Sequence, residues 1–292
     1  MGSFMIGDKE FSSAKPAPGL YIVSTPIGNL GDITLRALET LAGADIIACE
    51  DTRVTAKLLK RYGISAKRTS YHEHNADKEG PILLDAVRQG KVVALASDAG
   101  TPLISDPGQR LVAAAKTEAL PVFPIPGVSA PIAALTASGL PTEVFTFAGF
   151  LPSKQGQRQS VLQSFRGHDG TLMFFEGPSR LAASLKDMAE QFGGERQACV
   201  CRELTKMHEE ARLGSLSELL EHYTQSPPKG EIVIVLAPEI KDQILDPETL
   251  LVELLETMSV SRAASEAAKL TGLAKRDLYT KALKLAEAKN DQ

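Results

Sequence analysis

The stretch KVVALASDAGTPLISDPG, residues 91–108, has the strand–loop–helix pattern of an α/β protein. After the leading lysine come five apolar residues, which predict a buried strand. The glycines, prolines and aspartates that follow predict a loop. Asp106-Pro107 then predicts the N-cap and first turn of a helix that runs to Glu118. Because α/β proteins bind ligands at the carboxyl ends of strands, we expect Asp98 and its loop to line a binding site.

The same alternation of strand and helix continues on both sides of this stretch, which predicts sheets covered by helices. We predict an α/β fold with two α/β domains, residues 19–127 and 128–240. After Pro247 the pattern becomes helical, and a short turn at Thr271-Gly272 predicts a helix-turn-helix-like appendage over residues 245–292. Residues 1–18 are predicted to be a polar, flexible extension. Predicted strands cover residues 20–24, 45–49, 91–96, 120–125, 145–149, 171–175, 197–201 and 231–236; predicted helices cover 34–41, 52–62, 129–138, 179–191 and 217–223.

The chain is slightly acidic, with 32 Lys and Arg against 36 Asp and Glu and a net charge of −4. A global positive field toward nucleic acid is therefore excluded, and any such affinity must come from a local patch. One patch lies in the predicted helix after residue 51, where Arg53, Lys57, Lys60 and Arg61 recur at helical spacing without a single acid. This face either is simply solvated or binds an anionic partner, and the sequence leaves both open.

Cysteine usage and hydropathy indicate a cytoplasmic protein. The three cysteines are Cys49, Cys199 and Cys201, an odd number without paired metal spacing, which predicts reduced thiols. Cys199 and Cys201 should share one face of a strand. The longest apolar runs are only strand-length, and the N-terminus lacks a basic start followed by an apolar stretch, so we expect neither a membrane span nor a signal peptide.

Ionisable residues in three further loops are candidates for proton transfer or charge stabilisation, and the sequence does not rank them. These candidate catalytic residues are Glu50, Asp51, His72, Glu73 and Lys206. His72, Glu73 and His74 could suggest a metal site, but no nearby Cys or His completes a tetrahedral set, so we predict no metal. The charged group from Arg202 to Glu210 is either a surface ion-pair cluster or part of a cleft.

Taken in order from Gly19 to Pro238, the loops resemble those of the tetrapyrrole methylase superfamily, and more closely its ribosomal RNA branch. No single motif is decisive, but the ordered set is specific. The motifs are STPIGNLGD (24–32), CEDTR (49–53), YHEHN (71–75), SDAGTPLISDPG (97–108), PGVSA (126–130), GFLP (149–152), FEGPSR (175–180), RELTK (202–206) and GE (230–231).

The resemblance implies a class III methyltransferase fold, with S-adenosylmethionine in a cleft between the two α/β domains, and a homodimer. It implies 2′-O-methylation of a cytidine ribose in 16S ribosomal RNA, presented as free RNA or within the small subunit. Backbone groups would hold the amino-acid end of the cofactor and apolar side chains its adenine. The implied cofactor-binding residues are Asp98, Ala99, Gly100, Thr101, Ile104, Ser129, Ala130, Phe175, Glu176, Leu204, Thr205, Ala237 and Pro238.

The sequence leaves two other functions to consider, a tetrapyrrole methylase and a nucleic-acid-binding regulator. A small-molecule methylase acting on a tetrapyrrole would not need the basic helix or the helical tail. In addition, this chain has Ser97-Asp98-Ala99 where tetrapyrrole enzymes carry a Gly-Asp-Pro loop. The non-enzyme alternative is a nucleic-acid-binding regulator built around the C-terminal helix pair, where residues 258–292 contain seven basic and four acidic residues. The ligand-binding loops of two α/β domains argue against it.

Overall fold

The computed structural model describes residues 2–239 and 247–290, with side chains through residue 286. Met1, residues 240–246 and residues 291–292 lie outside the described residues, and with them the predicted domain limits at 1, 240, 245 and 292. The chain divides into two compact units, Met1–Pro238 and Glu239–Gln292. Each unit has its own apolar core.

Twelve strands and eleven α-helices are found among the described residues. The strands are β1 (Gly2–Ile6), β2 (Lys9–Ser13), β3 (Gly19–Val23), β4 (Ile46–Cys49), β5 (Arg68–Ser70), β6 (Val92–Ala96), β7 (Val122–Ile125), β8 (Phe145–Phe150), β9 (Thr171–Glu176), β10 (Gln197–Arg202), β11 (Glu210–Ser215) and β12 (Ile232–Leu236). The helices are α1 (Leu35–Gly43), α2 (Thr52–Arg61), α3 (Ala76–Arg88), α4 (Gln109–Thr117), α5 (Ala130–Ser138), α6 (Gln155–Ser164), α7 (Leu181–Phe192), α8 (Leu216–Gln225), α9 (Pro247–Thr257), α10 (Val260–Thr271) and α11 (Lys275–Asn290).

The first sheet is parallel, with strand order β5-β4-β6-β3-β7. Its strand β6 lies between β4 and β3 and is buried along its whole length, as its unbroken apolar run predicts. Helices α1 and α2 cover one face, while α3 and α4 cover the other. Because the strands are parallel, the loops that follow β3, β4 and β6 all leave the same edge of the sheet.

The second sheet is mixed, with strand order β11-β10-β12-β9-β8. β8 and β9 are parallel, and the other neighbours are antiparallel. Helices α6, α7 and α8 contribute to the core on one face, and α5 packs on the other. Cys199 and Cys201 lie buried on that second face with their Sγ atoms 3.8 Å apart, so their predicted shared face is confirmed.

The N-terminus differs from the predicted flexible extension, because residues 2–13 form the antiparallel hairpin β1-β2. Phe4 is directly opposite Phe11 with ring centroids 5.6 Å apart, and only 3% of Phe4 is exposed. The two-residue turn contains Gly7 at φ +60°, a conformation that favours glycine. Burial of Phe4 in the core beside α1 and α2 anchors the segment.

The predicted N-cap of α4 is also wrong. The residue at the cap is Gly108, at φ 134°, and the helix begins at Gln109. Asp106 and Pro107 lie before this cap in a loop, which leaves the Asp106 carboxylate available for other contacts. The sequence pattern also missed four short or weakly apolar elements: β5, α3, α6 and β11.

The second unit consists of α9, α10 and α11 packed around small and leucine side chains, including Leu251, Ala264 and Leu278. Gly272, with φ 69°, caps α10 in the left-handed conformation, at the turn that the sequence predicts. Among the helices of the described residues, none is long and apolar enough to cross a membrane.

Candidate active-site cleft

Loops from both sheets meet around a cavity of about 300 Å³. The long loop after β6 forms one wall, and the start of α5 forms another. The ends of β9 and β10 and the beginning of β12 contribute the remaining walls. Ile27, from the loop after β3, lines this cavity and packs with Ala134 and Leu204, and so connects the first sheet to the core of the second. We call this cavity the cleft.

Most of the residues expected to bind a cofactor are brought together in the cleft. Those that line it are Ala99, Gly100, Thr101, Ile104, Ser129, Ala130, Phe175, Glu176 and Leu204. Sequence reasoning missed other lining residues, namely Ile27, Ser105, Asp106, Pro131, Phe150, Gly177, Pro178, Cys201, Gly230, Glu231, Ile232 and Val233. Several of them, such as Ser105, Asp106 and Gly177, already lie inside the quoted motifs close to a predicted residue, so taking each whole motif as the site would have found them.

Four predicted cofactor residues do not line the cleft. The Asp98 carboxylate accepts a hydrogen bond from the backbone N of Asp51 at 3.0 Å. The hydroxyl of Thr205 accepts one from the backbone N of Asn29 at 3.1 Å. Ala237, next to Pro238, has its backbone N and O bonded to residues 197 and 196. The structure thus gives these residues contacts within the protein, and direct binding of a cofactor by them stays a prediction.

Backbone strain concentrates in two loops beside the cleft, one after β6 and one after β10. Five non-glycine residues of the described chain have positive φ, and four of them are Leu103, Ser105, Glu203 and Thr205. Left-handed backbone is unfavourable for side chains other than glycine, and such strain clusters at ligand-binding sites. Opposite, Gly100 and Thr25 exchange two backbone hydrogen bonds of 3.0 and 2.8 Å, which hold the loop against β3.

Glu176 lines the cleft but is fully engaged. Its carboxylate pairs with Arg180 at 2.6 Å and accepts hydrogen bonds from Gly177 N and the hydroxyl of Ser184. Only 2% of Glu176 is exposed. These contacts order the turn at the end of β9, and the side chain is therefore a structural support of the cleft rather than a free acid.

A second cavity, of about 460 Å³, adjoins the cleft. Three catalytic candidates, Glu50, His72 and Glu73, line it together with His74. The remaining lining residues are Ser105, Asp106 and Pro107. We call it the second cavity.

The other two catalytic candidates are held in ion pairs. Asp51 forms a bidentate ion pair with Arg53, in which Nη2 of Arg53 lies 2.6 Å from Oδ2 of Asp51. The Asp51 carboxylate also caps α2 by accepting a hydrogen bond from the backbone N of Arg53. The hydrogen bonds from Arg53 lower the pKa of Asp51 to about 2, which makes it a weak base. Lys206 lies between Glu203 and Glu231 at 2.8 and 2.9 Å. Burial opposes its charged form, but the two hydrogen bonds outweigh burial and raise its pKa, so it stays protonated at neutral pH.

Three carboxylates in or near the second cavity, those of Glu50, Asp98 and Asp106, have raised pKa values. Burial, with the nearby charge of Asp98, raises the pKa of Glu50. Burial likewise raises the pKa of Asp98. Burial and the charges of Glu50 and Asp98 together raise the pKa of Asp106 to about 6. Groups with pKa values shifted toward neutrality in a cavity are typical of sites of proton transfer.

The basic patch lies on the exposed side of α2. Arg53, Lys57, Lys60 and Arg61 are all exposed, whereas Thr55, Leu58 and Leu59 on the other side of the helix are buried. Arg53 is neutralised by Asp51. The other three cations form no ion pair with any residue that the structure describes, so they are available to an anionic partner.

His72 and His74 lie with their ring centroids 6.0 Å apart. Across the described residues, no group of three or more His, Cys, Asp or Glu is arranged to hold a metal ion.

A model of the family Tetrapyrrole (Corrin/Porphyrin) Methylases matches residues 19–220. The chain belongs to the tetrapyrrole methylase family. A model named RsmI C-terminal HTH domain matches residues 242–286. The predicted resemblance and fold class are thereby confirmed.

This tetrapyrrole methylase is 55% identical over 290 residues to Ribosomal RNA small subunit methyltransferase I of Mesorhizobium japonicum, covering 98% of this chain and 99% of that protein. It is 46% identical over 273 residues to the protein of the same name from Synechocystis sp., covering 91% and 98%. Among solved structures, cobalt precorrin-4 methyltransferase, a cobalamin biosynthetic enzyme, matches with a TM-score of 0.58 and 19% identity over 75% of this chain and 94% of that one. At that identity the likeness shows the fold alone.

Proposed function

We propose that this chain transfers a methyl group from S-adenosylmethionine to the 2′-hydroxyl of a cytidine ribose in 16S ribosomal RNA. The observation that carries the proposal is the 55% identity, over 98% of the chain, to a protein named Ribosomal RNA small subunit methyltransferase I. The cleft and the exposed basic patch support it, because they offer a site for each of the two substrates. The proposal includes a cytoplasmic location and a homodimeric assembly.

The residues of the cleft fit S-adenosylmethionine in kind. Ile27, Phe175 and Leu204 offer apolar surface for adenine, and Thr101 and Ser129 add polar groups to the same lining. A cavity of about 300 Å³ is within the range of roughly 300–1,000 Å³ typical of small-molecule sites. When bound, the cofactor supplies an activated methyl group on a sulfonium.

The protein then has to position the ribose hydroxyl, exclude water and manage one proton. Fixed loops such as the one held by the Thr25–Gly100 bridge provide the positioning, which is a large part of the acceleration available to a displacement reaction. The engaged carboxylate of Glu176 and the paired Lys206 maintain the walls of the cleft. Protonated Lys206 has no free lone pair to accept a proton, and the carboxylate of Glu176 is occupied by Arg180, Gly177 and Ser184.

Replacing Leu204 by alanine is expected to weaken cofactor binding about tenfold. The substitution removes three carbon atoms that contact the cofactor, each worth about 0.8 kcal/mol of apolar burial, and relaxation of the neighbouring side chains offsets part of this loss. Leu204 is 9% exposed and lines the cleft. Calorimetric titration with S-adenosylmethionine measures the change. The matched control is Leu213→Ala on the edge strand β11, where the side chain is 55% exposed and does not line the cleft. Equal affinities of the two variants would contradict the assigned site.

Reversing Lys57, Lys60 and Arg61 to glutamate is expected to weaken RNA binding and reduce its salt dependence. Each phosphate contact contributes about 0.7–0.9 to the slope of log K against log salt, so loss of three contacts should lower the slope by about 2–3. Filter binding of 16S rRNA at several salt concentrations measures it. The control variant reverses three exposed lysines elsewhere, Lys91, Lys116 and Lys186, with the same change of net charge. If both variants lose affinity equally, only net charge matters and α2 is not the RNA-binding surface.

The proposed reaction is tested by incubating the purified protein with labelled S-adenosylmethionine and small subunits or 16S rRNA from a strain that lacks the modification. Mass spectrometry of the digested RNA should show one 2′-O-methylcytidine per molecule. Parallel reactions contain a tetrapyrrole acceptor. Transfer of label to the tetrapyrrole, or to a base rather than a ribose, would overturn the proposal.

A further inference from the structure

The cleft and the second cavity share two lining residues, Ser105 and Asp106. Both lie in the loop between β6 and α4, where Ser105 has φ 63°. A methyl transfer between two bound molecules has to occur where their sites meet. The shared wall is therefore the place in this fold where a cofactor in the cleft can approach an acceptor in the second cavity.

The second cavity also lies close in sequence to the basic patch on α2. Glu50, which lines the second cavity, lies two residues before α2, the helix that carries the exposed cations. We therefore expect a polynucleotide bound along α2 to reach this cavity at Glu50. The lining groups, which include His72 and Glu73, can form hydrogen bonds with a nucleoside.

We propose that Asp106 is the general base of the methyl transfer and accepts the proton of the ribose 2′-hydroxyl. This inference rests on the proposed function and extends it. Asp106 is a carboxylate at the shared wall, whereas Ser105, the other residue there, has no useful basicity. As the hydroxyl oxygen attacks, its O–H bond breaks and the proton passes to the carboxylate.

The step balances without another reactant. The ribose oxygen forms the new O–CH₃ bond while the S–CH₃ bond breaks and its electron pair stays on sulfur. The products are a neutral thioether, S-adenosylhomocysteine, and a ribose methyl ether. Protonated Asp106 then returns its proton to solvent through the second cavity.

The other ionisable groups are less well placed or less basic. Glu50, His72 and Glu73 line only the second cavity, and Asp98 lines neither. Asp51 is neutralised by its ion pair with Arg53. Glu176 and Glu231, on the cleft side, are paired with Arg180 and Lys206.

The surroundings of Asp106 predict the pH dependence. Burial and the charges of Glu50 and Asp98 raise its pKa to about 6, while a hydrogen bond with Ser97 acts in the opposite direction. His72, Glu73 and His74 face the same cavity. Because a base acts when deprotonated, the rate should rise as pH increases through about 6 and level off above it. Removing the charge of a neighbour should lower this pKa.

The test measures single-turnover methylation of 16S rRNA from pH 5 to 8 with wild-type protein, Asp106→Asn and Glu50→Gln. Asp106→Asn should reduce the rate roughly 10²- to 10⁴-fold, the usual range for loss of a general base. It should retain the thermal midpoint, the affinity for S-adenosylhomocysteine and the affinity for RNA. Glu50→Gln should shift the rising limb to lower pH, whatever the height of its plateau. Asp85→Asn, which removes an exposed carboxylate on α3, should match wild type.

Three results would overturn the inference, and they are distinguishable. If wild type does not methylate rRNA at all, the proposed function fails and the inference fails with it. If wild type is active and Asp106→Asn retains its rate, only the role of Asp106 fails. If Glu50→Gln rather than Asp106→Asn abolishes the rate and the pH limb, Glu50 is the base. Carboxyl ¹³C NMR titration of the free protein checks independently that Asp106 titrates near pH 6 and that Glu50→Gln lowers this value.

Discussion

Replacing Asp187 by alanine is expected to lower the free energy of unfolding by about 3–5 kcal/mol, the usual cost of leaving a buried charge without its partner. Asp187 lies on α7 and pairs with Arg158 of α6 at 2.6 Å, and their side chains are only 1% and 5% exposed. Gln155 and Gln159 donate further hydrogen bonds to the same carboxylate. Urea unfolding followed by circular dichroism measures the change.

The double variant Arg158→Met/Asp187→Leu separates the ion pair from the general loss of a side chain. Because burying two charges is itself costly, apolar residues of similar volume should restore most of the lost stability. A surface control is Glu118→Gln, which breaks the exposed pair between Arg88 and Glu118 and should cause a much smaller change. If Asp187→Ala is as mild as Glu118→Gln, the buried pair does not hold α6 against α7.

Deleting residues 239–292 is expected to raise KM for rRNA by about tenfold or more, equivalent to about 1.4 kcal/mol of binding, while leaving cofactor affinity unchanged. The chain divides at Pro238, and α9, α10 and α11 have a core of their own. The first unit therefore contains the complete cleft. The second unit matches a model named RsmI C-terminal HTH domain, and its residues 258–292 carry seven basic against four acidic residues. Steady-state methylation at limiting rRNA and calorimetry with S-adenosylmethionine measure the two effects.

A full-length control avoids the question of whether the truncated protein folds. Lys275 and Arg276 are exposed at the start of α11, and reversing both to glutamate should also raise KM, with kcat preserved. Aggregation of the truncated protein, together with a wild-type KM for the double reversal, would show that the second unit serves stability and not RNA binding.

Several elements are predictable from the sequence because their signals are local. The run that ends at Ala96 predicts β6 to within one residue, and the αL glycine at position 272 marks the end of α10. The hairpin of residues 2–13 has a local signal as well, a two-residue turn at Gly7 between strands, but its polar composition concealed it. By contrast, the three-residue strand β5 is polar, and its pairing with β4 defines it as a strand.

The environment of Asp106 could not be predicted from its neighbours in the sequence. Beside a proline and before a helix, it has the sequence signature of an N-cap. The role we propose for it depends instead on Glu50, which follows β4, and on Asp98, which follows β6. Nothing within a few residues of Asp106 encodes the distance to Glu50, so its burial and its pKa were not predictable.

The α/β alternation, the family and the candidate loops are readable from the sequence alone, because hydrophobic periodicity and ordered motifs are properties of neighbouring residues. Which loops meet depends on the folded chain. The fold brought Leu204 and Gly100 to one cleft, bound Asp51 and Lys206 in ion pairs, and put Asp106 at the wall between two cavities. The physical reason is that basicity and burial depend on charges and surfaces contributed by residues distant in the chain, which only the folded arrangement brings together.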